Sequence, residues 1–134
     1  MPSDAEQRTV MVDTQLRDRD ISDSRVLDAM ARVPRELFLP AELRARAYED
    51  AALSIGEGQT MSQPYMVARI CAELALHGGE RVLDVGTGSG YQAAVLAELA
   101  AEVDTIERIP ALAGRARASL VEAGYERVRV HVGD

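Results

Sequence analysis

The sequence contains no lysine, no asparagine and no tryptophan, and all 15 of its basic residues are arginine. The missing lysine and asparagine read as compositional bias and not as a site signal. Aromatic residues are scarce, with four Tyr and one Phe, so the core must be aliphatic. The single cysteine, Cys71, excludes an intramolecular disulfide. Its setting, A-R-I-C-A-E-L, predicts a small buried hydrophobe on a helix face, since nothing nearby would lower the thiol pKa. His77 and His131 are the only histidines and have no Cys/His ligand spacing around them, so no metal site is expected. No basic region followed by an apolar one opens the chain, and no apolar run approaches the ~20 residues that cross a bilayer. These absences predict a soluble, cytoplasmic protein. A net charge of −7 argues against a nucleic-acid or anionic-membrane partner, because such surfaces favour clustered positive charge.

What is present suffices for one domain: 134 residues, 47% of them apolar. Ser3-Asp4-Ala5-Glu6 has capping-box spacing and predicts a helix to about Arg19, with Val10, Leu16 and Met11 or Val12 as apolar contacts. Ser22 or Asp23 caps a second helix carrying Val26, Leu27, Met30 and Val33, which Pro34 ends. Pro40 starts a short third helix through Ala47. Residues 48–63 lack a helical period and read as a long structured loop with one short strand around Leu53–Ile55. From Pro64 the pattern is regular: helix to Leu76, strand Arg81–Val85, helix Gly90–Ala100, strand Val103–Ile106, helix Pro110–Ala123, strand Arg127–Val132. Strands alternating with helices over short links predict right-handed crossovers and a parallel sheet.

Gly86-Thr87-Gly88-Ser89-Gly90 follows an apolar strand and opens a helix. Glycines allow a tight turn and close approach to a ligand, and a helix start adds N–H donors and positive partial charge. The dinucleotide fingerprint would need glycine at position 91, which is Tyr91, so a nicotinamide dehydrogenase fits poorly. Asp84 precedes the first glycine by two residues, Glu107 ends the second strand, and Asp134 follows the third. An acid in the position of Glu107 can accept from ribose hydroxyls.

This arrangement resembles the class I methyltransferases that use S-adenosylmethionine. Further motifs narrow it: M-V-D-T-Q-L at 11–16, V-P-R-E-L-F at 33–38, A-Y-E-D at 47–50, G-Q-T-M-S-Q-P-Y at 58–65, V-L-D-V-G-T-G-S-G-Y-Q at 82–92 and I-E-R-I at 106–109. In order and over nearly the whole chain after residue 8, they are similar to the protein-L-isoaspartate O-methyltransferase family. The resemblance implies an α/β, Rossmann-like parallel sheet that stops after its third strand, with an N-terminal helical subdomain. Residues 1–63 would then be the helical region and active-site loop, and 64–134 the first half of the cofactor domain.

The resemblance also implies roles. Ser62 would be the catalytic serine with Thr60 beside it. Asp84, Gly86, Thr87, Gly88, Ser89, Gly90, Glu107, Arg108 and Asp134 would hold S-adenosylmethionine, with S-adenosylhomocysteine as product. The substrate would be the free α-carboxylate of isoaspartyl residues in damaged proteins, and the full-length enzyme a monomer. Glu49-Asp50 would lie near the substrate. Two departures stand out: Asp20 where glycine is common in the turn after the first helix, and Met61 where isoleucine is commoner. Asp tolerates left-handed backbone, so that turn is expected to survive. The family's sheet order leaves the strand Arg81–Val85 as an open edge in this chain, which is therefore expected to be a fragment. Two other readings keep the fold: methylation of an aspartate in a dedicated peptide, and a non-catalytic binding remnant.

Overall fold

The computed structural model describes all 134 residues. Helix α1 (Asp4–Met11) starts at the expected capping box, with Ser3 and Glu6 each accepting from the other's backbone N–H. It continues as a π-helical segment over Val12–Arg17. The Asp18 N–H reaches the Asp13 carbonyl at 3.0 Å and Ile21 reaches Leu16 at 3.2 Å, both five residues back. That wider winding puts Met11 and Leu16 on one face. Met11, Val12 and Leu16 are buried, whereas Val10, expected in the core, points to solvent. Helix α2 (Ser24–Arg32) is capped by Asp23 and buries Val26, Leu27, Ala29 and Met30.

The short helix expected from Pro40 through Ala47 is a 3₁₀ winding, and a further 3₁₀ segment precedes Pro40. Two 3₁₀ segments, Arg35–Phe38 and Ala41–Arg46, flank Pro40, whose missing N–H and fixed φ suit a short tight winding. The loop that follows contains a hairpin, β1 (Leu53–Gly56) against β2 (Gln59–Met61), antiparallel with Ser54 opposite Thr60. The second strand escapes sequence reading because it is three residues long and mostly exposed.

Helix α3 (Pro64–Leu74) begins at the expected proline and ends before His77, since Ala75 turns left-handed at φ 48°. Strands β3 (Arg81–Val85), β4 (Glu102–Glu107) and β5 (Arg129–Val132) form a parallel sheet in the order β3-β4-β5. Helices α4 (Tyr91–Leu99) and α5 (Pro110–Glu122) make the crossovers. One sheet face, with Val103 and Thr105, is buried. The other carries Leu83 and Val85, 63% and 78% exposed, and β3 is an open edge as expected. Asp104 sits on this open face, bound by Arg129 at 2.8 Å and His131 at 2.9 Å. A largely aliphatic core joins α1, α2 and α3 to α4. Cys71 is part of it, and burial pushes its thiol up to about 12. No helix is long and apolar enough to cross a membrane.

Candidate active site

The glycine turn between β3 and α4 is built from inside the sheet. The N–H groups of Gly86 and Thr87 donate to the Ile106 carbonyl at 2.9 and 3.1 Å, continuing the β3–β4 pairing into the turn. The Thr87 hydroxyl is buried against that of Thr105 at 2.6 Å. Glu107 fastens the far side: one carboxylate oxygen accepts from Gly88 N–H at 2.9 Å, the other from Ile109 N–H at 3.0 Å. Each oxygen keeps a second lone pair for a hydroxyl. Ser89 Oγ accepts from Tyr91 N–H and so supports the start of α4.

Two depressions flank this turn and meet at Val85 and Gly86. One, of about 250 Å³, is lined by Gln59, Gly88, Glu107, Arg108, Ile109 and Asp134 among others. The other, also about 250 Å³, is lined by Met61, Ser62, Thr87, Ser89, Tyr91 and Gln92 with the α3 residues Val67 and Ile70. A Cβ built on Gly86 would meet nothing within 4 Å, so the ridge between the depressions is open for close approach. An elongated ligand could lie across this ridge with one end in each depression.

Most of the expected site residues converge here. Gly86, Gly88, Glu107, Arg108 and Asp134 line the first depression; Ser62, Gly86, Thr87 and Ser89 line the second. Three do not line either one. Thr60 is exposed on β2. Gly90 is buried against α5. Asp84 lies behind the turn, 5% exposed, and accepts from Gln92 at 3.0 Å and from Thr105 Oγ1 at 2.8 Å. Burial raises its pKa, against the lowering effect of those two donors. Its position suits bracing the turn more than touching a ligand.

The serine side has its own support. Arg35 donates from Nη2 to the Ser62 carbonyl at 2.9 Å and from Nε to the Ala47 carbonyl at 2.6 Å. Its guanidinium lies over the Tyr91 ring, 4.8 Å from the centroid. The turn at 18–20 is kept, as expected, without a left-handed Asp20, whose carboxylate accepts from Tyr65 at 2.6 Å and Arg69 at 2.9 Å on α3. Asp50 pairs with Arg19 across the same edge, while Glu49 pairs with Arg46. Gln59, Tyr91 and Gln92 were not singled out as site residues by sequence, although all three stand inside the quoted motifs; a depression between distant segments leaves no local pattern.

Comparison with known proteins follows the same line. Residues 6–134 match the family model described as protein-L-isoaspartate(D-aspartate) O-methyltransferase. The chain belongs to the protein-L-isoaspartate O-methyltransferase family. It is 59% identical over 127 residues to protein-L-isoaspartate O-methyltransferase 2 of Marinobacter nauticus, covering 95% of this chain and 58% of that protein. The protein-L-isoaspartate O-methyltransferase of Methanoculleus marisnigri is 55% identical over 128 residues, covering 96% of this chain and 58% of that one. A solved protein-L-isoaspartate O-methyltransferase superposes with TM-score 0.82 at 29% identity, over 95% of this chain and 42% of its own. The chain thus spans a little over half the length of these curated relatives, and its three-stranded sheet is a class I methyltransferase fold over that span. A putative family member from Plasmodium falciparum, solved with S-adenosyl-L-homocysteine, shares the fold at TM-score 0.77 and 22% identity, over 92% of this chain and 61% of its own.

Proposed function

We propose that this chain is the cofactor-binding and serine-bearing part of a protein-repair enzyme that methylates the free α-carboxylate of L-isoaspartyl residues. One observation carries the reading: Ser62 and the glycine turn, 24 residues apart in sequence at Gly86, open on the same depression. S-adenosylmethionine would lie across Gly86, with its ribose toward Glu107 and its adenine toward Asp134. When bound, it supplies a methyl group on a cationic sulfur, already activated for transfer.

The protein's task is then alignment. An isoaspartyl α-carboxylate is ionised at neutral pH, since such groups have pKa values of ~4, so no strong general base is needed. One carboxylate oxygen forms the new bond to the methyl carbon as the carbon–sulfur bond breaks, and sulfur keeps the electron pair. Ser62 Oγ orients the carboxylate by donating to the oxygen that does not attack. A single modest donor suits this role, because tighter binding would quench the nucleophile. Holding the two reactants in line accounts for most of the acceleration, which such alignment can supply at roughly 7–11 kcal/mol. Glu107 binds from the turn side, Thr87 and Asp84 keep the turn rigid, and Thr60 stands opposite Ser54 in the hairpin next to Ser62. The reading makes the full-length protein a cytoplasmic monomer whose partners are damaged proteins.

The test uses the full-length protein, labelled S-adenosylmethionine, and two peptides differing only in isoaspartate versus aspartate. Base-labile label on the isoaspartyl peptide alone is the expected result. Ser62→Ala should lower kcat/KM by roughly tenfold, the value of one modest hydrogen bond, with S-adenosylhomocysteine affinity unchanged. Label on neither peptide despite cofactor binding would overturn the substrate assignment.

A further inference from the structure

Arg35 is fully buried, yet it takes part in none of the protein's ion pairs. Its Nη1 makes no hydrogen bond at all. Burial lowers its pKa, offset in part by Tyr91 and Tyr48. A charge removed from water without a carboxylate opposes folding, and an apolar side chain of similar size would pack there at less cost. Stability alone therefore does not account for an arginine at this position.

Two of its contacts, Ser62 and Tyr91, line the second depression. Two donors hold the Ala47 and Ser62 carbonyls, and the backbone N–H of Arg35 donates to the Tyr48 hydroxyl at 3.1 Å. The guanidinium stacks on the ring of Tyr91, a residue of the depression's wall, and that ring meets Phe38 edge-on at 5.9 Å. The Ser62 carbonyl has no place in the α3 ladder, because that ladder begins at Gln63, which accepts from Met66 and Val67. Arg35 is the group that holds it. Tyr48 is itself fixed by Arg8 at 2.8 Å and by the Glu36 carboxylate, so the strut is anchored at its far end.

We propose that Arg35 is a positioning residue for methyl transfer: its guanidinium sets the backbone at Ser62 and thereby the direction from which the Ser62 hydroxyl meets the substrate carboxylate. This rests on the role of Ser62 given above. The planar fork is essential, since two carbonyls on separate segments are held by two nitrogens of one rigid group. Lysine offers one point charge and cannot hold both at those angles.

The experiment compares full-length wild type with Arg35→Lys, Arg35→Gln, Arg35→Ala and Ser62→Ala. Three quantities are read: S-adenosylhomocysteine affinity, kcat and KM for the isoaspartyl peptide, and amide exchange of residues 59–63. Arg35→Lys should keep cofactor affinity within about threefold while kcat/KM for peptide falls roughly tenfold to a hundredfold, the loss expected from a misplacement of about 1 Å. Exchange should rise in 59–63 and stay unchanged in β3 and β4. Methylguanidinium should restore Arg35→Ala in a saturable way. Should Arg35→Lys fail to fold, Arg35→Gln, which keeps one donor and removes the charge, must show the same split. Cofactor affinity and peptide kinetics falling together in these variants would make Arg35 merely structural and overturn the proposal. So would kinetics that do not change. If Ser62→Ala alone leaves peptide kinetics intact, the role of Ser62 fails independently of Arg35.

Discussion

Gly90 closes the glycine turn at φ 92°, and a Cβ placed on it would lie 3.3 Å from Ala116 Cβ and 3.4 Å from Leu120 Cγ. Alanine at this position meets two costs. Left-handed backbone costs a non-glycine residue about 1–2 kcal/mol. Forcing a methyl into the packed contact between the turn and α5 adds about 1–3 kcal/mol, because both neighbours are buried and one is a methyl on a helix backbone. Gly90→Ala should therefore destabilise by about 2–5 kcal/mol, a large part of the ~5–15 kcal/mol that holds a typical domain folded. Gly86 provides the control. Its φ is 86°, but its Cβ would meet nothing within 4 Å. Gly86→Ala should lose only the backbone part, about 1–2 kcal/mol. Both variants regain the same ~0.4–1 kcal/mol from a stiffer unfolded chain, so their difference isolates packing. Urea unfolding of the full-length protein, followed by circular dichroism, reads that difference as separate midpoints at equal slope. S-adenosylhomocysteine titration should show the reverse ranking, with Gly86→Ala weakened at least roughly tenfold because its methyl stands on the ridge between the depressions. Equal urea midpoints would refute the claim that α5 packing, and not only backbone geometry, requires glycine at position 90.

Glu107→Gln should weaken S-adenosylhomocysteine by roughly 10- to 100-fold in isothermal titration, since an amide has one acceptor where the carboxylate serves Gly88, Ile109 and a ligand. Asp104 gives a pH prediction. Hydrogen bonds from Arg129 and then His131 hold its carboxyl well below the usual range. A depressed folded-state value means its stabilisation is complete above the ordinary Asp pKa of ~3.9 and is lost as pH falls below it. Asp104→Asn should therefore show a shallower loss of stability between about pH 5 and pH 2 in urea titrations, and parallel curves would contradict the assignment.

The sequence by itself settled those parts of the protein that depend on neighbours along the chain. Ser3 and Glu6 cap α1, Asp23 caps α2, and Pro64 and Pro110 open α3 and α5, because caps and prolines act within one helical turn. The glycine turn and the acid at the end of the next strand were legible for the same reason. They sit at fixed offsets from apolar strands, and the parallel register of β3 and β4 brings them together. Tertiary structure decided what depends on distance. It turned Val10 outward, wound 12–17 as a π-helix, paired β2 with β1, and tied the Asp20 carboxylate to α3. It also put Asp84 behind the turn and Arg35 beneath Ser62. Asp84 and Glu107 are both acids at strand ends, equally polar in sequence. Both side chains leave the same buried face of the sheet, where Asp84 pairs in register with Thr105 two residues before Glu107, so position along the strand decides that Asp84 braces the turn from within and Glu107 reaches the depression.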